Sequence, residues 1–390
     1  MAKTLNVSIL GYGMMGTVRA VAYEAISRYY TDAPIKPVLY QAFTLPVEAE
    51  AAKESGWDAK TDLDAVIKDS ECDYVDVCLP NSMHHDVVMS ALEAGKHVFC
   101  EKPLAVTVDE AREMMQAAEA KPELLNSVNF VYRRCPSNVY ARRLVKSGRF
   151  GKLLEARSFY NQSWGGPDTP YSWRFSKTGG TLGDLGSHAL DMLYFVTGMR
   201  PIELCAIQGV HIPYRFDPKT VGSDLAARMN RGADAQQGEK VKVETDDATR
   251  IMYTLPDGAI GSLECTRNAW GAENTHGYEL YFENGAIAWN YDDVNYLNVY
   301  DATRPDRGWT RVLTNRGGDD FSYKSFADGH MYGYRDFTVN ACYENILKIA
   351  GADEIAPIAT FRDAYDVERT IEAVRKSWEE RCWVKLADFT

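Results

Sequence analysis

Residues 5–30, "LNVSILGYGMMGTVRAVAYEAISRYY", constrain the fold more than any other part of the chain. Residues 5–10 have the apolar pattern of a short strand, and the residues after Gly16 carry the apolar spacing of a helix. Between them Gly11, Gly13 and Gly16 form G-x-G-x-x-G. That motif is weak alone but informative between a strand and a helix. Gly11 permits a tight turn, Gly13 lets a pyrophosphate approach the helix N-terminus, and Gly16 lets helix and strand pack closely. The arrangement predicts a dinucleotide site. Strand and helix patterns then alternate. "KPVLYQAF", "YVDVCLP" and "HVFCEKP" read as strands, and "VEAEAAKESG", "LDAVIKDS" and "HHDVVMSALEAG" as helices. "TVDEAREMMQAAEA" opens with a capping box, Thr107 with Glu110 three residues on. Alternation of this kind predicts a doubly wound parallel sheet.

From about residue 127 the pattern becomes period-2 alternation in "LLEARSFYNQ", "ATRIMYTL", "AIGSLECTRNA", "YELYFEN", "AIAWNYDD" and "YLNVYD", with "PDG" and "ENG" turns. The expected fold class is α/β: a Rossmann domain over 1–126, then an α+β domain over 127–390 with a large, mainly antiparallel open sheet. Residues 215–244 read as a mobile insert. The C-terminal "FRDAYDVERTIEAVRKSWEER" reads as an amphipathic helix.

A net charge of −12 over 390 residues argues against a nucleic-acid or anionic-membrane surface, both of which need clustered Lys and Arg. The eight cysteines form no C-x-x-C pair and sit mostly in apolar runs, which suits free thiols in a reducing compartment. With no signal-like leader and no apolar run of membrane-spanning length, a cytoplasmic protein is expected.

The segment "GDLGSHALD" places Asp184, His188 and Asp191 within roughly 60° of one another if read as a helix at about 100° per residue. Such a face suits a metal site, a proton-transfer pair or a structural network. Completing metal ligands are lacking apart from His84 and His85, so no metal is expected.

"LPNSMHHDVVMSALEAGKHVFCEKPLAVTVDEA" and, downstream, "GGTLGDLGSHALDMLYFVTG" strongly resemble the two hallmark segments of the glucose–fructose oxidoreductase / inositol dehydrogenase (Gfo/Idh/MocA) family. The likeness continues through "NFVYRRCPS", "GRFGKLLEARSFYNQSW" and "DDATRIMYTLPDGAIGSLECTRNA" and covers nearly the whole chain. "YNQSW", "SWRF" and the insert after "GVHIPYR" look most like the levoglucosan dehydrogenase subgroup. The resemblance implies an enzyme moving hydride between a nicotinamide and a secondary hydroxyl of a pyranose, anhydrosugar or cyclic polyol. It also implies a homo-oligomer, dimer or tetramer. A redox-neutral glycoside cleavage through transient C3 oxidation uses the same residues and is the alternative.

Carried onto this sequence, the resemblance puts Gly11, Gly13, Met14, Met15 and Gly16 at the pyrophosphate. Pro80, Asn81, His84, Glu101, Lys102 and Asn129 would lie along the rest of the cofactor. Ala42 stands where a Rossmann strand usually offers an acid to the adenosine ribose, and "AFT" offers neither acid nor base; without a base for a 2′-phosphate, NAD is expected over NADP. Lys102, Asp184 and His188 match the positions of the chemistry. An imidazole, ordinarily titrating near ~6.5, suits a proton acceptor. A lysine can stabilise a developing alkoxide, and Asp184 can orient a hydroxyl; Asp191 reads as structural. Tyr132, Trp164, Trp173 and Trp270 offer faces for a sugar ring. Arg133, Arg174, Asn268 and His330 offer donors.

Overall fold

The computed structural model describes residues 3–46, 48–177, 179–217, 239–316, 323 and 329–389. The chain forms two compact units, Met1–Pro136 with Asn315–Tyr365, and Ser137–Thr314 with Asp366–Thr390.

The first unit is built on a six-stranded sheet. Its strands are β1 (Lys3–Leu10), β2 (Ile35–Phe43), β3 (Asp58–Lys60), β4 (Tyr74–Val77), β5 (His97–Cys100) and β6 (Asn126–Val128). They lie in the order β3-β2-β1-β4-β5-β6, every neighbouring pair parallel. The connecting helices are α1 (Met14–Tyr29), α2 (Ala49–Glu54), α3 (Leu63–Lys68), α4 (His84–Glu93) and α5 (Val108–Glu119). This is the doubly wound arrangement expected from the alternation. All four residues of β4 are buried, as a strand covered on both faces requires. The capping box forms at α5: the Thr107 hydroxyl accepts from the Glu110 amide, and Glu110 accepts from the Thr107 amide.

The two compact units do not follow the 126/127 division. Strand β6 extends the parallel sheet past residue 126. Residues 315–365 belong to the first unit, because their helix buries its apolar side against α1. That helix spans Tyr334–Ala350 and is called α8, after the two helices of the second unit. Tyr343 stacks on Tyr30 with ring centroids 3.7 Å apart, and the Tyr30 hydroxyl donates to Asn340 Oδ1 at 2.9 Å. Cys342 and Ile346 join Val7, Ile9, Ile26 and Phe99 in one apolar core.

The second unit begins with α6 (Pro136–Lys146) and β7 (Leu153–Asn161), and α7 (Ser187–Thr197) follows. The strands β8 (Glu203–Gly209), β9 (Tyr214–Phe216), β10 (Lys240–Lys242), β11 (Ala248–Thr254) and β12 (Ile260–Thr266) come next. After them run β13 (Thr275–Phe282), β14 (Gly285–Asn290), β15 (Tyr296–Asp301), β16 (Trp309–Leu313) and β17 (Val384–Lys385). Nine strands form one sheet, β16-β15-β14-β13-β7-β12-β11-β8-β17. All its pairs are antiparallel except β7 with β12, which is parallel. Alternation puts Thr249, Ile251 and Tyr253 of β11 inside and Arg250 and Met252 outside. Helix α7, buried from Ser187 to Val196, packs on β7 and β13. The remaining pair, β9 with β10, lies within the two described ends of the 215–244 insert, which are thus paired strand; residues 218–238 lie outside the described residues. The C-terminal helix α9 (Phe361–Glu380) begins in the first unit and ends in the second.

The stacked Tyr30–Tyr343 pair gives the return of the chain an energetic signature. Tyr343→Ala should cost the first unit about 3 kcal/mol in a urea titration. A loss below about 1 kcal/mol would mean that α8 contributes little to that unit's core.

Candidate active site

The glycine turn is built by close backbone approach. Gly11 has φ +99°, and its amide donates to the Phe43 carbonyl at 3.0 Å, joining the ends of β1 and β2. A Cβ there would lie 2.8 Å from the Cys78 carbonyl oxygen, and one on Gly16 would lie 2.0 Å from the Gly11 oxygen. Gly13 differs: its Cβ would meet only the Glu48 carboxylate, at 3.7 Å. The space above Gly13 is thus left open by the protein itself. Gly13 is also the N-cap of α1, with no side chain capping the helix and no acid in its first turn. N-terminal amides at the positive end of a four-turn helix, uncapped by any side chain, fit a pyrophosphate. Met14 and Met15 are half-buried in that first turn.

Ala42 does not face outward: it is fully buried in the apolar core. The alternation of β2 sends its side chain inward, so the strand's end is presented by half-buried Phe43, followed by buried Thr44.

At the far side of the sheet, Glu101, Lys102 and cis-Pro103 follow β5. Glu101 Oε1 receives Arg19 Nη2 at 2.7 Å and Asn129 Nδ2 at 2.7 Å. Arg19 is wholly buried on α1, 3.8 Å over the Phe99 ring, and also reaches Asp76 Oδ2 at 3.5 Å. Burial raises the Asp76 carboxyl against the pull of Arg19. His84 acts as a strut rather than an open ligand. It is buried, with Nε2 2.9 Å from the Leu79 carbonyl and Nδ1 3.0 Å from that of Pro103. It thereby ties the "LPN" turn, with exposed Pro80 and buried Asn81, to the loop that carries half-buried Lys102. Burial holds His84 below the ordinary imidazole range.

The second unit holds Asp184 and His188. Asp184 lies in a π-helical turn, Leu182–Gly186, that runs directly into α7. The uniform α-helical spacing read from "GDLGSHALD" is therefore interrupted between these two residues. A π turn widens the helix and is a recurrent feature of functional sites. The turn is anchored by Asp246, whose Oδ2 accepts from the Leu182 amide at 3.0 Å and from Thr249 Oγ1 at 2.8 Å. The preceding glycine pair answers to packing: a Cβ on Gly179 would lie 2.4 Å from the Arg174 oxygen, and one on Gly180 2.4 Å from Thr245 Oγ1.

Asp184 is 3.6 Å from the Arg174 guanidinium, which lies 4.4 Å over the Trp173 ring. His188 is buried, its ring 5.8 Å from that of Tyr160. Tyr160 is in turn stacked on His276 at 4.6 Å and donates to Asn274 at 2.8 Å. Burial pushes His276 down to about 4, so it packs as a neutral ring, with Nδ1 2.9 Å from the Phe159 carbonyl. Asp191 is buried within α7.

The "QSWGGPDTPYSWRF" loop is clamped by two buried arginines. Arg215 donates to the carbonyls of Gly165, Gly166 and Thr169, and Arg267 to those of Arg174 and Asp246. Phe175 lies 3.9 Å from one guanidinium and 4.8 Å from the other. Burial lowers both arginines, Arg215 to about 10. Asn268 belongs to the same clamp, turning its amide nitrogen toward the Gly165 and Arg267 carbonyls. Trp164 and Trp173 are half-buried in the loop, and Trp270 is exposed beside it.

Three other candidates belong to the first unit. Arg133 is buried and donates to the Ile358 carbonyl at 3.3 Å and to Asp363 at 3.4 Å. Tyr132 is buried with its ring edge-on to Tyr334. His330 is exposed; residues 326–328 of its "FADGHMYGY" segment lie outside the described residues. Sequence reading missed Arg19, Asp76, Tyr160, Arg215, Asp246 and Arg267. Only the paired acids of "TDDATR" gave a local signal. The glycine contacts give a direct check: Gly16→Ala should lower the melting temperature by several degrees, whereas Gly13→Ala should leave it near wild type.

The chain matches, over residues 5–130, the model of the oxidoreductase family with an NAD-binding Rossmann fold. Over residues 139–288 it matches the GFO/IDH/MocA C-terminal domain. It is 32% identical over 396 residues to the levoglucosan dehydrogenase of Pseudarthrobacter phenanthrenivorans, covering 98% of each chain. Among solved structures, an oxidoreductase domain protein from Kribbella flavida superposes with a TM-score of 0.89 at 32% identity, covering 99% of this chain and 100% of that one. A levoglucosan dehydrogenase in complex with NADH and levoglucosan gives 0.87 at 30% identity, covering 98% and 100%. The protein is an NAD-binding oxidoreductase of the sugar-dehydrogenase type. Its sequence and both of its folded units place it in the Gfo/Idh/MocA oxidoreductase family.

Proposed function

We propose that this protein oxidises a secondary ring hydroxyl of a pyranose-type anhydrosugar, with NAD as the hydride acceptor. The observation that carries this reading is the near-complete, end-to-end likeness to levoglucosan dehydrogenase at 32% identity. The second unit supplies chemistry in keeping with it. A buried imidazole and an arginine-paired carboxylate sit on one helical segment, and a clamped loop contributes Trp164 and Trp173. Half-buried indoles suit the apolar face of a sugar ring, and a carboxylate suits its hydroxyls.

The bound nicotinamide supplies the hydride acceptor. Gly13, Met14, Met15 and Gly16 would hold the pyrophosphate through main-chain amides, Gly11 would shape the turn with its own amide on the Phe43 carbonyl, and Glu101 and Asn129 would line the nicotinamide ribose. The carbinol carbon loses a hydride and its hydroxyl loses a proton, leaving a ketone. His188 takes the proton. The Lys102 ammonium stabilises the oxygen as its charge develops, and Asp184 fixes the ring by accepting from a neighbouring hydroxyl. Arg174, 3.6 Å away, aims the Asp184 carboxylate. No step calls on a metal.

The test is an incubation of protein and NAD with levoglucosan, glucose, an inositol and a nitrophenyl glycoside, following nicotinamide absorbance and released nitrophenol together. NADH accumulating with levoglucosan above the other substrates supports the reading. Nitrophenol released without NADH would replace it with redox-neutral glycoside cleavage. His188→Ala and Lys102→Ala should each lower kcat by about 100-fold or more. His188→Ala should do so with NADH affinity unchanged, and full turnover in either variant would remove that residue from the mechanism.

A further inference from the structure

We propose that Arg19 is a positioning residue for the cofactor, acting through Glu101. The inference rests on the reading above that Glu101 faces the nicotinamide ribose. Arg19 sits two turns into the helix whose N-terminus carries the glycine turn, with its guanidinium fully buried. It spans two carboxylates, Asp76 at 3.5 Å and Glu101 at 2.7 Å. Asn129 delivers a second donor to the same Glu101 oxygen at 2.7 Å. Both donors converge on Oε1, and the Glu101 side chain retains 10% exposure, so we assign Oε2 to the ligand.

Stability alone does not account for this arrangement. Two acids face one buried guanidinium: Glu101 takes its hydrogen bond at 2.7 Å, while Asp76 stands at 3.5 Å and accepts instead from the Tyr23 hydroxyl at 2.8 Å and the Cys78 thiol at 3.5 Å. A second buried acid adds desolvation cost without a second cation to offset it. Its retention, immediately before Lys102, is explained if Glu101 is held ready for a ligand. Arg19 then couples the helix that receives the pyrophosphate to the carboxylate that receives the ribose.

The test is NADH affinity, measured by fluorescence titration, with melting temperature recorded for each variant. Glu101→Gln and Arg19→Met should each weaken NADH by about tenfold, the loss expected for one hydrogen bond to a charged group. The double variant should be about as weak as either single one, because both changes disable the same contact. Asp76→Asn severs the other half of the ion-pair cluster; it should lower the melting temperature and leave NADH affinity within about twofold. Arg19→Lys, which keeps the charge without the fork, carries the same comparison if Arg19→Met does not fold, with a smaller loss expected. Losses that multiply in the double variant would overturn the proposal, as would Asp76→Asn weakening NADH as much as the Arg19 variants do. Unchanged NADH affinity in Glu101→Gln would instead remove Glu101 from the cofactor site, and the proposal with it.

Discussion

A guanidinium with no access to water has to be answered by anions on every element it passes, and the first unit is arranged around that requirement. Arg19 fixes which residues must follow it in space: Asp76 on β4, Glu101 after β5, the face of Phe99 and the edge of Cys342 on α8. Each anion then recruits donors of its own, Tyr23 and Cys78 for Asp76 and Asn129 for Glu101. An apolar core would pack these elements equally well but would not index them to one another. Charge pairs do, because a displaced partner leaves a buried charge uncompensated, at a cost of several kcal/mol. The sheet supplies the frame and the ion pairs supply the registration.

The second unit applies the same physics to main chain. Its loop from Trp164 to Phe175 has little regular structure to satisfy its own carbonyls, and buried carbonyls must be satisfied. Arg215 and Arg267 do this from outside the loop, reaching four of its carbonyls between them. Asp247 lies 3.7 Å from each guanidinium and also accepts the His211 and Ile212 amides. A loop held this way presents Trp164, Trp173 and Arg174 from a fixed backbone, which lowers the ordering cost of any ligand it meets.

What could be read in the sequence was what local chemistry encodes. The glycine turn, the Thr107–Glu110 box and the alternation of β11 depend on residues a few positions apart, and all are present. Partnerships across long separations were not legible. Arg267 meets Thr181 across 86 positions and Arg19 meets Glu101 across 82, and nothing near either arginine names its partner. Residues 334–350 show the same limit: helical spacing gives a helix, while its attachment to α1 follows from the Tyr30–Tyr343 stack. The end of β2 shows the same limit: a motif position names Ala42, but the burial of its side chain is set by the tertiary core. Periodicity smoothed over the π turn as well, since a step of about 100° per residue assumes the α-helical geometry it is meant to detect.

The parallel pairing of β7 with β12 has a consequence for how a binding surface can arise on this sheet. Antiparallel neighbours release their continuing chains at opposite edges, whereas parallel neighbours release both at the same edge. Asn161 and Thr266 are register partners, so the segments beginning at Gln162 and Arg267 emerge side by side. They zip together at once: the Gln162 amide donates to the Thr266 carbonyl, Gly165 to Arg267 and Ala269 back to Gln162. The tryptophan loop and its arginine brace are thus two carboxyl-end outflows from adjacent strands, the device by which open α/β sheets gather their ligands, reproduced within a sheet otherwise antiparallel. Between these two neighbours the chain also builds α7, β8 and β11, so the path from β7 to β12 carries part of the sheet itself. The loop after Asn161 lies outside the strands, and its side chains can change while the strands that launch and brace it stay where they are.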